Sequence, residues 1–302
     1  MLKTQLLPGE HLQASVARLH YLTGLGVLAN TASKVFSKGK QIERPFTAFS
    51  LQDEHLSKWY SKEDYHAVLQ EHSCANYICA FLNNDDSRHA GIYTEPKLTG
   101  AQSLLPKSWC WCICCVEEDE EKYGVSYYHR DHQLPGVFHC DKHKIGLISG
   151  CSECGFKVDN LKHQLVPPID NFCPSCGAWM SAFDGYFDEL MARIESRSLL
   201  LARNKLTVSL YAESTQSIRE YIGLNGYCRT MAEHKKISAW KSSFQSHLNK
   251  KVIESYFANT KQTKKGYTAS LLVSSRIYST ASHLAPLPAI PHLLALDFIE
   301  NN

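Results

Sequence analysis

The sequence predicts a mostly α, multidomain protein in which helical N- and C-terminal domains flank a tandem cysteine-rich module. Three observations predict it. Apolar residues recur at helical spacing on both sides of the middle of the chain. Four Cys/His pairs, each with two residues between its members, lie between positions 112 and 176. Strand-like signal is confined to short pieces beside those pairs, such as "GVFHC" and "HQLVPP". A chain of 302 residues, 44% hydrophobic and 21% charged, can bury real cores, and its length fits roughly two or three domains. Composition puts the boundaries at 1–104, 105–180 and 181–302.

The N-terminal domain begins with residues 10–22, "EHLQASVARLHYL", which place Leu12, Val16 and Leu19 on one helical face. "TGLG" interrupts the pattern, and residues 27–38 place Leu28, Ala32, Val35 and Phe36 on a second face. A glycine-containing turn between two helices is the layout of a DNA-binding helix-turn-helix, and it is equally the layout of a hairpin that only packs. Lys34, Lys38 and Lys40, with Arg44 beyond them, lie on or just after the second helix and are its candidate DNA contacts. "HAVLQEHSCANYICAFL" then reads as one amphipathic helix. A polar, proline-bearing stretch, "NNDDSRHAGIYTEPKLTGAQSLLP", leads into the module.

The middle domain holds the chemistry. "PKSWCWCICCVEEDEEKYG" crowds Cys110, Cys112, Cys114 and Cys115 into six positions. Such near neighbours are poorly placed for a disulfide, which needs Cα atoms about 5.5 Å apart and Cβ vectors facing each other. The pairs with two intervening residues are Cys112/Cys115, Cys140/His143, Cys151/Cys154 and Cys173/Cys176. That spacing lets a tight turn aim both donors at one tetrahedral Zn²⁺, and Gly155 and Gly177 supply permissive backbone after two of the pairs. Eight donors make two closed sites, hence two structural Zn²⁺ per chain in a zinc-knuckle or zinc-ribbon module. The donor order is also that of a cross-braced RING finger, the fold of a ubiquitin ligase, in which the first pair joins the third. Seven residues, "KIGLISG", separate His143 from Cys151. This spacer favours sequential grouping: Cys112, Cys115, Cys140 and His143, then Cys151, Cys154, Cys173 and Cys176. Cys110 and Cys114 become bystanders. His129, His132 and His139 read as hydrogen-bonding residues of an aromatic run. Cys74, Cys79 and Cys228 have no paired neighbours and read as small buried hydrophobes.

In the C-terminal domain "YFDELMARIESRSLLLA" aligns Phe187, Leu190, Met191 and Ile194, and a long helix over residues 239–258 aligns Phe244, Leu248, Ile253 and Phe257. The net charge of +2 conceals an asymmetry, because residues 229–276 hold ten Lys/Arg against only Glu233 and Glu254. This basic stretch points to a polyanion such as double-stranded DNA. Its candidate contacts are Lys235, Lys236, Lys241, Lys250, Lys251, Lys261, Lys264 and Lys265. No phosphate-binding glycine loop and no nucleophile–base–orienter set occurs, so the sequence reads as a non-enzyme. The N-terminus shows no apolar leader followed by a small-residue cleavage site. No apolar run approaches the roughly 18 residues a membrane span needs. The expectation is a cytoplasmic protein with no membrane partner.

The stretch "CICCVEEDEEKYGVSYYHRDHQLPGVFHCDKHKIGLISGCSECG" resembles the TniQ/TnsD family of transposon target-selection proteins. It is similar to that family's Cys-Pro-x-Cys knuckle, acidic turn, aromatic-His-Arg-x-His-Gln-Leu-Pro-Gly segment and Cys-Pro-x-His knuckle. "LPGEHLQASVARL" resembles the family's opening helix, "EHSCANYICAFL" a helix of the TnsD branch, and "REYIGLNGYCR" a turn of the C-terminal domain. Ile113 and Asp141 stand where the knuckles usually carry proline, and Ala75 and Asn76 replace an aromatic–proline pair. The resemblance, closest to the TnsD-like branch, implies a nucleoid-associated bacterial protein that selects a target site. It also implies recruitment of an AAA+ ATPase regulator and, through it, a transposase. Other members dock on an RNA-guided CRISPR effector complex, which is the alternative it implies. TnsD-type proteins are longer than 302 residues, so the resemblance implies a compact or shortened member.

Overall fold

The computed structural model describes residues 5–24, 26–35, 62–81, 106–203, 210–224, 230–257, 277–278 and 289–302. Among these the protein is helical, with isolated bridges in place of strands. "GVFHC" contributes a single bridge, His139 to Gly146, and "HQLVPP" contributes none. The reason is local, since each knuckle folds back on itself within a few residues and leaves no run long enough to build a ladder. Contacts divide the chain into two compact units.

The first unit is chiefly Met1–Asn76 and Pro106–Gly185. Helix α1 (Leu12–Thr23) ends on Gly24, whose φ of 59° is the left-handed conformation glycine tolerates at a helix terminus. Helix α2 (Leu28–Val35) returns against α1, and α3 (Lys62–His72) also packs on α1. The expected single helix through residue 82 is broken at Ser73 and Cys74, and α4 (Ala75–Cys79) follows the break. Ser73 explains it: its hydroxyl donates back to Leu69 O and accepts from Ala75 N at 3.2 Å, a side-chain turn that competes with helix continuation. Helix α5 (Ile113–Tyr123) starts directly after Cys112 and ends at Gly124. The acidic run that resembles a family turn is therefore helical here.

Sequence alternation builds the core of this unit. Trp109 and Trp111 are fully buried on either side of Cys110, and Tyr128 packs 5.2 Å from Trp109 and 6.3 Å from Trp111, centroid to centroid. His11, the N-cap of α1, sits edge-on to Trp109. Leu12, Val16, Leu69, Ile148 and Val158 complete the cluster. "LPGEH" is held by a buried ion pair, in which Arg18 Nε and Nη2 donate to the two Glu10 carboxylate oxygens at 2.6 and 2.8 Å. Gly9 O accepts from Arg130 N, and His11 N donates to Tyr128 O, so the opening helix is sewn to the aromatic-His-Arg segment.

The second unit is chiefly Tyr186–Asn302 with residues 77–81. It contains α6 (Glu189–Arg203), α7 (Tyr211–Ile222), α8 (Met231–His247), α9 (Lys250–Phe257) and α10 (Ala289–Asn301). The helix expected over residues 239–258 is two helices. Thr230 starts α8 well upstream with a capping box, its hydroxyl accepting from Glu233 N while Glu233 Oε2 accepts from Thr230 N. Asn249 divides the pattern, because its side chain accepts from Lys251 N and restarts the chain as α9. Helix α10 is buried along most of its length and packs on α6, α7 and α8. Its one fully buried charge, Asp297, receives both arms of Arg193 at 2.8 and 2.9 Å.

Candidate metal centres

Three of the four pairs are built on one backbone plan. At Cys140, Cys151 and Cys173 the amide donates to the carbonyl five residues on (Ile145, Phe156, Ala178) at 2.7–2.8 Å. The same cysteine's carbonyl accepts from the amide four residues on (Lys144, Gly155, Gly177) at 2.8–3.0 Å. Those last residues have φ of 56°, 73° and 74°, so glycine suits two of the turns, and Lys144 takes the left-handed conformation without it. Cys112 and Cys115 are different: Cys112 is the N-cap of α5 and Cys115 lies in its first turn. The partial positive charge of a helix N-terminus favours thiolates there.

These turns gather eight donors into two groups of four. Cys112, Cys115, Cys140 and His143 form one and Cys151, Cys154, Cys173 and Cys176 the other, with the ligand atoms of each group all within 4.8 Å of one another. The grouping is sequential. Cys112 and Cys151, which a cross-braced RING would join, belong to different groups. In the first group His143 Nδ1 lies 3.4, 3.4 and 3.5 Å from the sulfurs of Cys112, Cys115 and Cys140, and Cys115 and Cys140 sulfurs are 3.6 Å apart. In the second, Cys151 and Cys176 sulfurs are 3.7 Å apart, and Cys154 and Cys173 sulfurs 3.6 Å. A zinc tetrahedron with Zn–S near 2.3 Å and Zn–N near 2.0–2.1 Å has edges of about 3.8 Å between sulfurs and about 3.6 Å from sulfur to nitrogen. Both donor sets fit a Zn²⁺ ion. Contact with Cys112, then with Cys140, pushes the Cys115 thiol far above its ordinary value.

The two groups differ in surroundings. Cys112, Cys115 and Cys140 are buried, whereas Cys154 and Cys176 are exposed. The second group carries an exposed aromatic pair, Phe172 and Trp179, edge to face across a bridge.

The bystanders separate cleanly. Cys110 and Cys114 are outside both groups. Burial pushes the Cys110 thiol up to about 12, with Lys157 opposing, and burial likewise raises Cys74 to about 12. Both thiols therefore stay protonated at neutral pH. His129 Nε2 bonds the buried Asp119 carboxylate at 2.8 Å. His132 is buried, and that burial lowers its pKa while Cys140 pulls it back up. Two residues escaped the sequence reading. Glu118, one of five consecutive acidic residues, reaches the outer edge of His143 at 3.1 Å. Buried Gln133 accepts from Cys110 N at 2.9 Å and donates to Cys110 O and His129 O at 2.7 and 3.0 Å.

Of the candidate DNA contacts, Lys34 is exposed on α2, while Lys38, Lys40, Lys261, Lys264 and Lys265 lie outside the described residues. Lys235, Lys236, Lys250 and Lys251 are exposed on α8 and α9, and Lys241 is half-buried. Several are engaged within the chain. Lys236 donates to Gly223 O at 2.9 Å, Lys241 and Lys251 lie over the rings of Tyr278 and Tyr186, and Lys250 is 3.6 Å from Glu254. No described helix is long and apolar enough to cross a membrane.

Residues 1–147 match the model of the TniQ family. That span takes in the N-terminal helices and the whole of the first donor group, and the second group lies beyond it. No curated protein matches the chain.

Proposed function

Because residues 1–147 belong to the TniQ family, we propose that this transposition-associated protein is the DNA-binding target-site selector of a bacterial transposon, of the TnsD type. It recognises an attachment site and recruits an AAA+ ATPase regulator, which delivers the transposase. The observation that carries this reading is the family match across the opening helices and the first donor group. Each donor group holds two neighbouring pairs and four ligands, which leaves no open position for water or substrate. Two Zn²⁺ ions therefore serve folding, and the protein works by binding and without catalysis, in the bacterial cytoplasm at the nucleoid. Lys34 and the lysines of residues 229–276 neutralise phosphates.

A second reading, an adaptor that docks on an RNA-guided CRISPR effector complex, draws support from one observation. Four of the five described lysines between 229 and 276 already have partners inside the chain, and an adaptor needs less free positive surface. Fluorescence anisotropy with labelled duplex DNA, free of any RNA-guided complex, separates the two. Direct recognition predicts binding at low salt, with the logarithm of affinity falling against log salt by about 0.9 per phosphate contact. Replacing Lys264 and Lys265 together by Ala flattens that slope by up to about two. Absence of binding at low salt rejects direct recognition and leaves the adaptor.

A further inference from the structure

We propose that Glu118 is a positioning residue for the first metal centre, holding His143 in the tautomer and orientation that binds the ion. The inference rests on the zinc reading above and concerns a residue outside the ligand set. His143 turns Nδ1 toward the three sulfurs. A metal-bound Nδ1 carries no proton, so Nε2 must carry it and needs an acceptor. Glu118 Oε1 is 3.1 Å from Nε2. A carboxylate there fixes the ring and makes the coordinating nitrogen a better donor.

Helix geometry supplies the acceptor. Cys115 and Glu118 are three residues apart on α5, hence on one face, so the helix that presents two sulfurs also presents the carboxylate one turn later. The other carboxylate oxygen is engaged as well. Lys142, between Cys140 and His143 in the knuckle turn, donates to Glu118 Oε2. Glu118 thus grips both the imidazole and the turn that carries it. The second centre, all sulfur, has no imidazole to orient and is an internal reference.

The test uses the full chain, stripped of metal and titrated with Co²⁺, then with Zn²⁺ in competition. A Cys₃His cobalt site absorbs at shorter wavelength than a Cys₄ site, so the two centres are read separately. Glu118→Ala is expected to weaken metal binding at the Cys₃His centre about tenfold and leave the Cys₄ centre unchanged. Glu118→Gln, whose amide oxygen still accepts the Nε2 proton, weakens it less. Lys142→Ala removes only an exposed ion pair and changes it by less than about twofold. An unchanged Cys₃His affinity in Glu118→Ala overturns the proposal, and so does a Lys142→Ala loss equal to that of Glu118→Ala, which would assign the effect to the ion pair that pins the knuckle turn and not to the bond to His143. If wild-type protein binds no metal at either centre, the zinc reading itself fails, a result distinct from both.

Discussion

Replacing Gln133 by Leu fills a similar volume while removing three hydrogen bonds from the centre of the first unit. Gln133 is fully buried, and its amide closes both polar groups of the Cys110 backbone and the carbonyl of His129. Each buried group left without a partner costs about 1–3 kcal/mol, donors more than carbonyls, which retain a second lone pair. Counting the Cys110 amide fully and the two carbonyls lightly gives a destabilisation of about 2–4 kcal/mol. At about 1.4 kcal/mol per factor of ten, amides in the peptide covering residues 106–115 should exchange roughly 30- to 1,000-fold faster through local opening. Hydrogen exchange read by mass spectrometry measures this peptide by peptide, which suits a chain of two units where a single unfolding free energy is poorly defined. Exchange within about threefold of wild type would refute the reasoning, because it would mean that the Cys110 backbone finds other partners.

Two further outcomes follow from buried groups in each unit. His292 sits within α10, stacked on Phe81 at 4.6 Å, and burial pushes its imidazole down to about 3. Its unfolded value is near 6.5, so the unfolded chain binds the extra proton between those limits. His292 therefore supports folding above about pH 6.5 and loses that support as pH falls toward 3, by up to about 1.4 kcal/mol per unit. The difference in urea midpoint between wild type and His292→Gln should shrink steadily on acidification through this window, and a constant difference contradicts it. At Gly146 an added Cβ would lie 2.3 Å from Phe183 O, where Phe183 N already bonds Leu147 O. Gly146→Ala, which meets backbone that cannot swing aside, should cost about 3 kcal/mol or more in thermal melts. Gly124→Ala, with φ of 71° but open space around it, should cost only about 1–2 kcal/mol. Equal costs would remove the steric argument.

How far the sequence reached depends on the range of each interaction. Cys/His spacing is a local signal, and the seven-residue spacer after His143 was enough to favour the sequential grouping that the structure adopts. Mostly helical character was legible for the same reason. Helix ends were not, because they turned on single caps. Ser73 and Asn249 each divide a continuous apolar pattern, and the Thr230–Glu233 box starts α8 before the apolar stripe becomes evident. The Thr-x-x-Glu signature was there to be read. Glu118 was beyond reach, because in a run of five acidic residues only the phase of α5 decides which one meets His143. Gln133 was equally hidden, since its role depends on a partner 23 residues away. The compact units follow packing: Trp109 and Tyr128 share one core with α1.

The central claim, that two closed zinc centres hold together a protein that works by binding, is tested most directly by native mass spectrometry of the intact chain. The account predicts two Zn²⁺ per wild-type chain, one in Cys112→Ala and one in Cys173→Ala, with local unfolding because zinc binding in such modules is folding free energy of roughly 10 kcal/mol or more. Cys110→Ala and Cys114→Ala should retain both ions. Wild-type protein purified with fewer than two ions and unable to take up more would contradict the account, as would loss of zinc from Cys114→Ala with retention in Cys115→Ala.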